Sequence, residues 1–131
     1  MNKRILVTAT ALGMLSIVLG AFGAHALKEL ISPDMQQTFE TGVRYQMYHA
    51  LFLLFVGTTS LISEKAKKSI HYLVITGVVL FSGSIYGLAT NNLSTGFDFK
   101  SIGFITPIGG LCFIMAWGIL FISLIKMKPN Y

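Results

Sequence analysis

The sequence predicts an all-α fold, an integral membrane four-helix bundle with a short extracytoplasmic interfacial helix. Four uncharged, mainly apolar stretches cover residues 5–27, 45–63, 69–97 and 101–125. About 20 helical residues cross the ~30 Å hydrocarbon core of a bilayer, so each stretch is about long enough. Charged residues make up only 11% of the chain, against ~25% in soluble domains. We therefore expect a single transmembrane domain over residues 1–131.

The first span, about residues 5–27, contains a ladder of small residues. Ser16, Gly20 and Ala24 follow one another at four-residue spacing, which lets a second helix backbone approach closely. We interpret this ladder as a helix contact within the bundle. A homo-oligomer formed through small-residue helix faces is the alternative interpretation.

The same segment also resembles a signal peptide. Lys3 and Arg4 precede an apolar run that ends at Ala24-His25-Ala26, an A-x-A pattern. The apolar run of ~20 residues is longer than the 7–15-residue core of a signal peptide. We therefore expect the first span to be retained, since cleavage would leave only three spans.

The second span is preceded by a helix-start signal at Ser32-Pro33-Asp34. Serine caps helices, proline fits the first turn, and aspartate suits the positive helix end. The polar residues up to Thr41 predict a short helix lying on the outer membrane surface. Gly42 then permits a bend into the second span, about residues 43–63.

The last two spans are predicted at about residues 70–90 and 102–125. The short charged segment 64–68 predicts a tight loop, which makes spans two and three antiparallel neighbours. Turn-forming residues predict a second loop over 91–96. Thr106-Pro107 lies near the start of the fourth span, where a proline costs a helix little.

The positive residues predict the orientation of the bundle. Seven of the ten Lys and Arg residues lie on the side that holds both termini and segment 64–68. The other three are Lys28, Arg44 and Lys100. Positive residues concentrate on the cytoplasmic side of short loops, so both termini are predicted to be cytoplasmic. The charges flank the spans and form no single basic face, so we expect membrane lipids as partners and no nucleic acid.

Polar residues within or beside the spans converge on the extracytoplasmic half. The candidate polar cluster consists of His25, Arg44, Tyr45, Tyr48, His49, Ser82, Ser84, Tyr86 and Thr106. Arg44 can reach lipid phosphate or pair with Glu40, whereas His49 lies ~7 Å deeper and needs a hydrogen-bond partner. The candidates for that partner are His25, Ser84, Tyr86 and Thr106.

The cluster allows several interpretations. It can lock the helices together, or it can bind a lipid head group, a quinone or another small amphiphile. A proton or ion path is a further alternative. No metal and no cofactor are expected, because two histidines without a nearby carboxylate or thiolate are too few ligands. No catalytic residue is expected either, since the spans hold no carboxylate pair.

Four motifs resemble the signature of one known family. They are GAFGAHAL at 20–27, TGVRYQMYHAL at 41–51, FSGSIY at 81–86 and ITPIGG at 105–110. The chain is similar to the uncharacterised small membrane-protein family that includes YgdD and YwdK. The resemblance implies a multi-pass protein of the bacterial cytoplasmic membrane with no established enzymatic activity, and it implies no catalytic residue.

The sequence therefore favours a non-enzymatic multi-pass membrane protein that supports membrane or envelope integrity through lipid contact. The alternative is a protein that handles a small molecule, a lipid or an ion with the outer His25, Arg44 and His49. A dry, fully paired cluster would favour the structural interpretation, and an accessible cavity among these residues would favour binding.

Overall fold

The computed structural model describes residues 2–93 and 96–129, and this part of the chain is helical with no strand. Residues 94 and 95 of the predicted 91–96 loop lie outside the described residues. The helices are α1 (Lys3–Ala24), α2 (Pro33–Thr58), α3 (Glu64–Gly77), α4 (Ser84–Ala89) and α5 (Ile105–Ile125). A π-helical segment, Val78–Gly83, joins α3 to α4, and short 3₁₀ turns lie at Leu27–Glu29, Asn91–Leu93 and Phe99–Ile102.

The helices form four rods, which confirms the predicted membrane bundle. Three rods are long and apolar enough to cross a membrane: α1, the continuous rod Glu64–Ala89, and α5. The fourth rod, α2, has 26 residues, which at 1.5 Å per residue gives about 39 Å. It is long enough to cross as well, but its first half carries Asp34, Glu40 and Arg44.

The helix predicted at the membrane surface is the first part of α2 and is not a separate element. The start of α2 is as predicted, with the Ser32 hydroxyl accepting a hydrogen bond from the Met35 N–H at 3.2 Å. The helix then continues through Gly42 to Thr58 without a bend into a second helix. Gly42 serves close packing instead, because a Cβ there would lie 2.7 Å from the Tyr86 ring.

The loop predicted at 64–68 is also corrected, because α3 already begins at Glu64. The Ser63 hydroxyl caps this helix by accepting a hydrogen bond from the Ala66 N–H at 3.1 Å. The connection between α2 and α3 is therefore residues 59–63. Lys67 consequently lies on the helix, where it is 2% exposed and its ammonium lies 3.6 Å from the Glu64 carboxylate.

The rods run alternately up and down. The Asn2 N–H donates to the Gly57 carbonyl at 3.0 Å, which joins the start of α1 to the end of α2. We call this end of the bundle, with the starts of α1 and α3 and the ends of α2 and α5, the terminal end. The opposite end, with the start of α2 and the end of α4, is the far end.

Small residues of α1 bring α2 close. Ser16 is buried, and a Cβ at Gly20 would touch Val43 at 3.5 Å. At Gly23 a Cβ would lie 2.8 Å from the Phe39 ring, so only glycine fits there without a shift. Ser16 and Gly20 thus make the predicted contact within the bundle, whereas Ala24 is exposed.

Candidate functional site

The structure divides the predicted polar cluster into an inward set and an outward set. Five side chains are buried or half-buried and hydrogen-bonded to other residues, namely His49, Ser82, Ser84, Tyr86 and Thr106. Four are exposed, namely His25, Arg44, Tyr45 and Tyr48. The nine residues therefore do not surround one common point.

A glutamine that the sequence analysis did not single out lies at the centre of the inward set. Gln46 is 1% exposed. Its side-chain N–H donates to the Leu12 carbonyl at 3.0 Å, and its oxygen accepts a hydrogen bond from the Tyr86 hydroxyl at 2.6 Å. One amide therefore connects α1, α2 and α4.

Two serines join the third rod to its neighbours. The Ser82 hydroxyl donates to the Gly42 carbonyl of α2 at 2.8 Å. This bond forms where glycine lets the rods approach, and Ser82 is fully buried. The Ser84 hydroxyl donates to the Leu80 carbonyl at 2.6 Å and also contacts the Thr106 hydroxyl at 2.5 Å. Thr106 thus joins the start of α5 to this rod.

His49 uses both ring nitrogens within the protein. Nδ1 lies 2.7 Å from the Tyr45 carbonyl, which can only accept, so Nδ1 carries the proton. Nε2 then accepts a hydrogen bond from the Trp117 indole N–H at 3.1 Å. The ring also stacks on Phe113, with centroids 3.6 Å apart and planes 13° from parallel. The geometry is that of a neutral, fully paired imidazole.

The partner of His49 is a correction to the sequence analysis. None of the expected candidates, His25, Ser84, Tyr86 or Thr106, bonds to its ring in the described residues. The reason is the helical periodicity of α2, which directs His49 toward α5 and Gln46 toward α1 and α4. Trp117 was not among the partners expected from the sequence.

The outward set is exposed at the surface of the bundle, although the Tyr45 ring also contacts Phe81, with centroids 5.0 Å apart. His25 is the exposed C-terminal cap of α1. Arg44 does not pair with Glu40, since the ion pair found among the described residues is Glu64–Lys67. Tyr45 and Tyr48 are 41% and 51% exposed, with their rings in edge contact at 5.6 Å. These side chains are available to the surroundings of the bundle.

A groove of about 460 Å³ lies between α2, the π-helical segment and α5. Its lining consists of Tyr45, His49, Phe81, Gly110, Phe113, Ile114 and Trp117. Because both His49 nitrogens are already bonded, the walls present mainly aromatic and aliphatic surface. The groove suits an apolar chain better than a polar or charged group.

The sequence left open whether the polar cluster holds the helices together or binds a ligand, and the structure contains a feature relevant to each interpretation. Among the described residues, every buried side-chain nitrogen or oxygen has a hydrogen-bond partner. The Gln46, Ser82 and Ser84 contacts are therefore paired as a structural lock would be. The groove beside His49 is the accessible cavity, and it lies at the edge of this network.

The spacing of α2 contains a signal that could have found Gln46. Its inward residues Phe39, Gly42, Gln46, His49, Leu53 and Val56 follow at steps of three and four. That spacing marks one helix face turned toward neighbouring helices. The cluster residues Arg44, Tyr45 and Tyr48 of the same helix lie off this face and are exposed.

Comparison with known proteins gives consistent results. A family model described as a protein of unknown function (DUF423) matches residues 19–110. The UPF0382 membrane protein SH2409 of Staphylococcus haemolyticus is 42% identical over 113 residues, covering 86% of this chain and 88% of that protein. YwdK of Bacillus subtilis, also a UPF0382 membrane protein, is 38% identical over 115 residues, covering 86% and 89%.

A more distant relative covers almost the whole chain. The UPF0382 inner membrane protein YgdD of Escherichia coli strain K12 is 31% identical over 132 residues, covering 97% of this chain and 93% of that protein. No solved structure matches the chain. All nine residues of the predicted cluster lie within 19–110, whereas Trp117 lies outside the matched segment.

Proposed function

The chain belongs to the DUF423 family of proteins of unknown function, and from this premise we propose that it is a non-enzymatic membrane protein that binds a lipid. The lipid places an apolar chain in the groove beside His49. In this way the protein supports the membrane around it through lipid contact. The observation that carries the proposal is the aromatic groove, which is accessible in a chain whose relatives are membrane proteins.

The chemistry of the groove supports an apolar occupant. Phe81, Phe113 and Trp117 provide aromatic walls, and Ile114 adds an aliphatic edge that is 68% exposed. Binding sites of this kind are mostly apolar, with a few polar groups that fix orientation. The polar groups of this lining are Tyr45 at the rim, His49 and the indole N–H of Trp117. Both ring nitrogens of His49 are hydrogen-bonded within the protein, one of them to that indole N–H.

The rim of the groove supports a lipid as the source of that chain. Tyr45 lines the groove, and Arg44 and Tyr48 lie beside it on the same exposed part of α2. Arginine forms charge-assisted hydrogen bonds to phosphate, and tyrosine is common where a membrane meets water. A phospholipid with its phosphate at Arg44 would have its chain directed along the groove.

We place the far end of the bundle on the extracytoplasmic side and both termini in the cytoplasm. The support is the excess of Lys and Arg at the terminal end. The lipid would then come from the outer leaflet of the cytoplasmic membrane. The ion-handling alternative has less support, because a neutral imidazole with both nitrogens bonded has no free site for a proton or an ion.

The test is native mass spectrometry of the purified protein with its retained lipids. Ile114→Trp puts a large ring into the groove wall, and it should lower lipid retention at least about tenfold, or ~1.4 kcal/mol. Met115→Trp is the matched control, because Met115 is the next residue on α5, is 48% exposed and does not line the groove.

The control should retain lipid as the unaltered protein does. Equal retention by Ile114→Trp and Met115→Trp would contradict the proposal, as would a protein that carries no lipid at all. Thermal unfolding of both variants checks that the loss of lipid does not come from loss of the fold.

A further inference from the structure

A second cavity lies at the terminal end and shares no lining residue with the groove. It has a volume of about 390 Å³ and is lined by Asn2, Arg4, Lys68, His71 and Tyr72. The start of α1 and the first turns of α3 form its walls. Two cations, a histidine, an amide and a phenol thus surround one space, and the proposed function uses none of them.

His71 is fixed in this cavity by Thr8. The Thr8 hydroxyl donates to the Arg4 carbonyl at 2.9 Å, so its oxygen accepts from His71 Nε2–H at 2.9 Å. The second ring nitrogen, Nδ1, has no hydrogen-bond partner among the described residues. The ring of Tyr72 stacks on the imidazole, with centroids 5.9 Å apart. The histidine is therefore held in place with one nitrogen still available.

The cations of this cavity are not neutralised by the described part of the chain. Arg4 and Lys68 are exposed and make no ion pair there. Glu64 is the acidic residue at the terminal end, and its carboxylate lies beside Lys67. Asn2 accepts a hydrogen bond from the Ile5 N–H through its side-chain oxygen, which leaves its side-chain N–H₂ as a further donor.

We propose that this cavity, which we call the basic pocket, binds the phosphate group of an anionic membrane lipid. A guanidinium matches phosphate oxygens in its fork geometry, and a lysine adds a point charge. Basic pockets between membrane helices on the cytoplasmic side bind phosphorylated lipid head groups in this way. Free phosphate has the same chemistry and is the other source of the ligand.

The position of the basic pocket favours the lipid as the source. It lies at the start of α1 and at the start of the rod Glu64–Ala89, and both of these helices are able to span a membrane. Tyr72 is 57% exposed, as expected of a tyrosine at the level of lipid head groups. The phosphates of a leaflet meet the bundle at this level.

The test measures binding of phosphatidylglycerol to the purified protein in detergent, by native mass spectrometry and by thermal shift. Removing a cation near a membrane surface weakens anionic-lipid binding by about fivefold, so Arg4→Gln with Lys68→Gln should weaken it by about twenty-fivefold. Phosphatidylcholine and inorganic phosphate are tested in parallel. Lys68→Arg keeps the positive charge. This variant should therefore bind phosphatidylglycerol nearly as strongly as the unaltered protein does.

The matched control is Lys3→Gln with Lys65→Gln, which removes the same charge from the same two helices outside the pocket. This control should bind phosphatidylglycerol nearly as the unaltered protein does. An equal loss in both double variants would mean diffuse attraction and would overturn the pocket. An equal response to inorganic phosphate would overturn the lipid as ligand. Because the groove and the basic pocket share no lining residue, Ile114→Trp should leave this result unchanged whichever proposal fails.

Discussion

At the scale of single residues, Gln46 connects three helices through one amide group. Its nitrogen bonds to the Leu12 carbonyl, and its oxygen bonds to the Tyr86 hydroxyl. A polar side chain in a membrane interior is costly unless it is paired. Hydrogen bonds between membrane helices are individually modest, averaging ~0.6 kcal/mol with a maximum of ~1.7 kcal/mol. The buried position of Gln46 puts its bonds toward the upper end of that range.

The first prediction concerns the Tyr86 hydroxyl. Tyr86→Phe leaves the Gln46 oxygen buried without its donor, and we expect a loss of about 1–2 kcal/mol of unfolding free energy. Denaturant unfolding in detergent measures it. Tyr48→Phe is the control, because Tyr48 is 51% exposed, and it should change stability by less than about 0.5 kcal/mol. Equal losses in the two variants would show that the Gln46 bond contributes nothing measurable.

The residue scale was the hardest to predict from the sequence. The sequence placed Ser82, Ser84 and Thr106 in the extracytoplasmic polar cluster, and in the structure their hydroxyl groups form hydrogen bonds between rods. It could not choose the partner of His49, because that choice depends on how far α2 is rotated relative to α5. A rotation of one residue, about 100°, would turn a different set of side chains inward.

At the scale of elements, the rods meet where glycine removes a side chain. Gly109 of α5 faces the π-helical segment, and a Cβ there would collide with the backbone nitrogen of Phe81 and lie 2.7 Å from the Leu80 carbonyl carbon. Backbone atoms cannot rotate away as side-chain ends can. Gly109, within the ITPIGG motif, therefore marks a helix contact with the irregular part of the third rod.

The second prediction compares two glycines of α5. Gly109→Ala should destabilise the protein by about 1–3 kcal/mol, because the new methyl group overpacks the contact with the π-helical segment. Gly118→Ala should be neutral or stabilising by up to about 1 kcal/mol, since nothing lies within 4 Å of a Cβ there. Thermal unfolding of both variants checks this. A Gly109→Ala protein as stable as Gly118→Ala would mean that the two rods are not in close contact.

Three stretches with strong hydropathy signals coincide with helices of the structure, whereas the predicted boundaries differ from those of the helices. The spans predicted at 5–27, 70–90 and 102–125 correspond to α1, to the rod Glu64–Ala89 and to α5. The errors occur at polar helix ends, where Ser63 caps a helix that the charges 64–68 had suggested was a loop. Similarly, Gly42 lies inside α2 and does not mark a bend. A glycine is needed there because the Tyr86 ring approaches the helix closely.

At the scale of the whole molecule, the charges divide the bundle into two different ends. The terminal end carries most of the Lys and Arg residues and the basic pocket. The far end carries Arg44 beside the aromatic groove. The two proposed sites would therefore contact lipids of opposite leaflets, and the same helices would connect them.

The third prediction concerns orientation. A reporter that is active only in the cytoplasm should work when fused to the C-terminus, because the positive residues at the terminal end hold it on that side. A reporter that is active only outside the cytoplasm should be silent at the same position. Reversed activities would place the groove in the inner leaflet and the basic pocket in the outer one. Fusions within the 91–96 loop should give the opposite pattern and serve as the control.

The most direct test of the account is fluorescence quenching of Trp117, the single tryptophan of the chain and part of the groove wall. A phospholipid brominated on its acyl chain is titrated into the protein in detergent. Lipid bound in the groove predicts quenching that saturates near one lipid per protein and reverses when unbrominated lipid is added. Quenching that rises in proportion to the lipid fraction of the micelle, without saturation, would contradict a specific lipid in the groove.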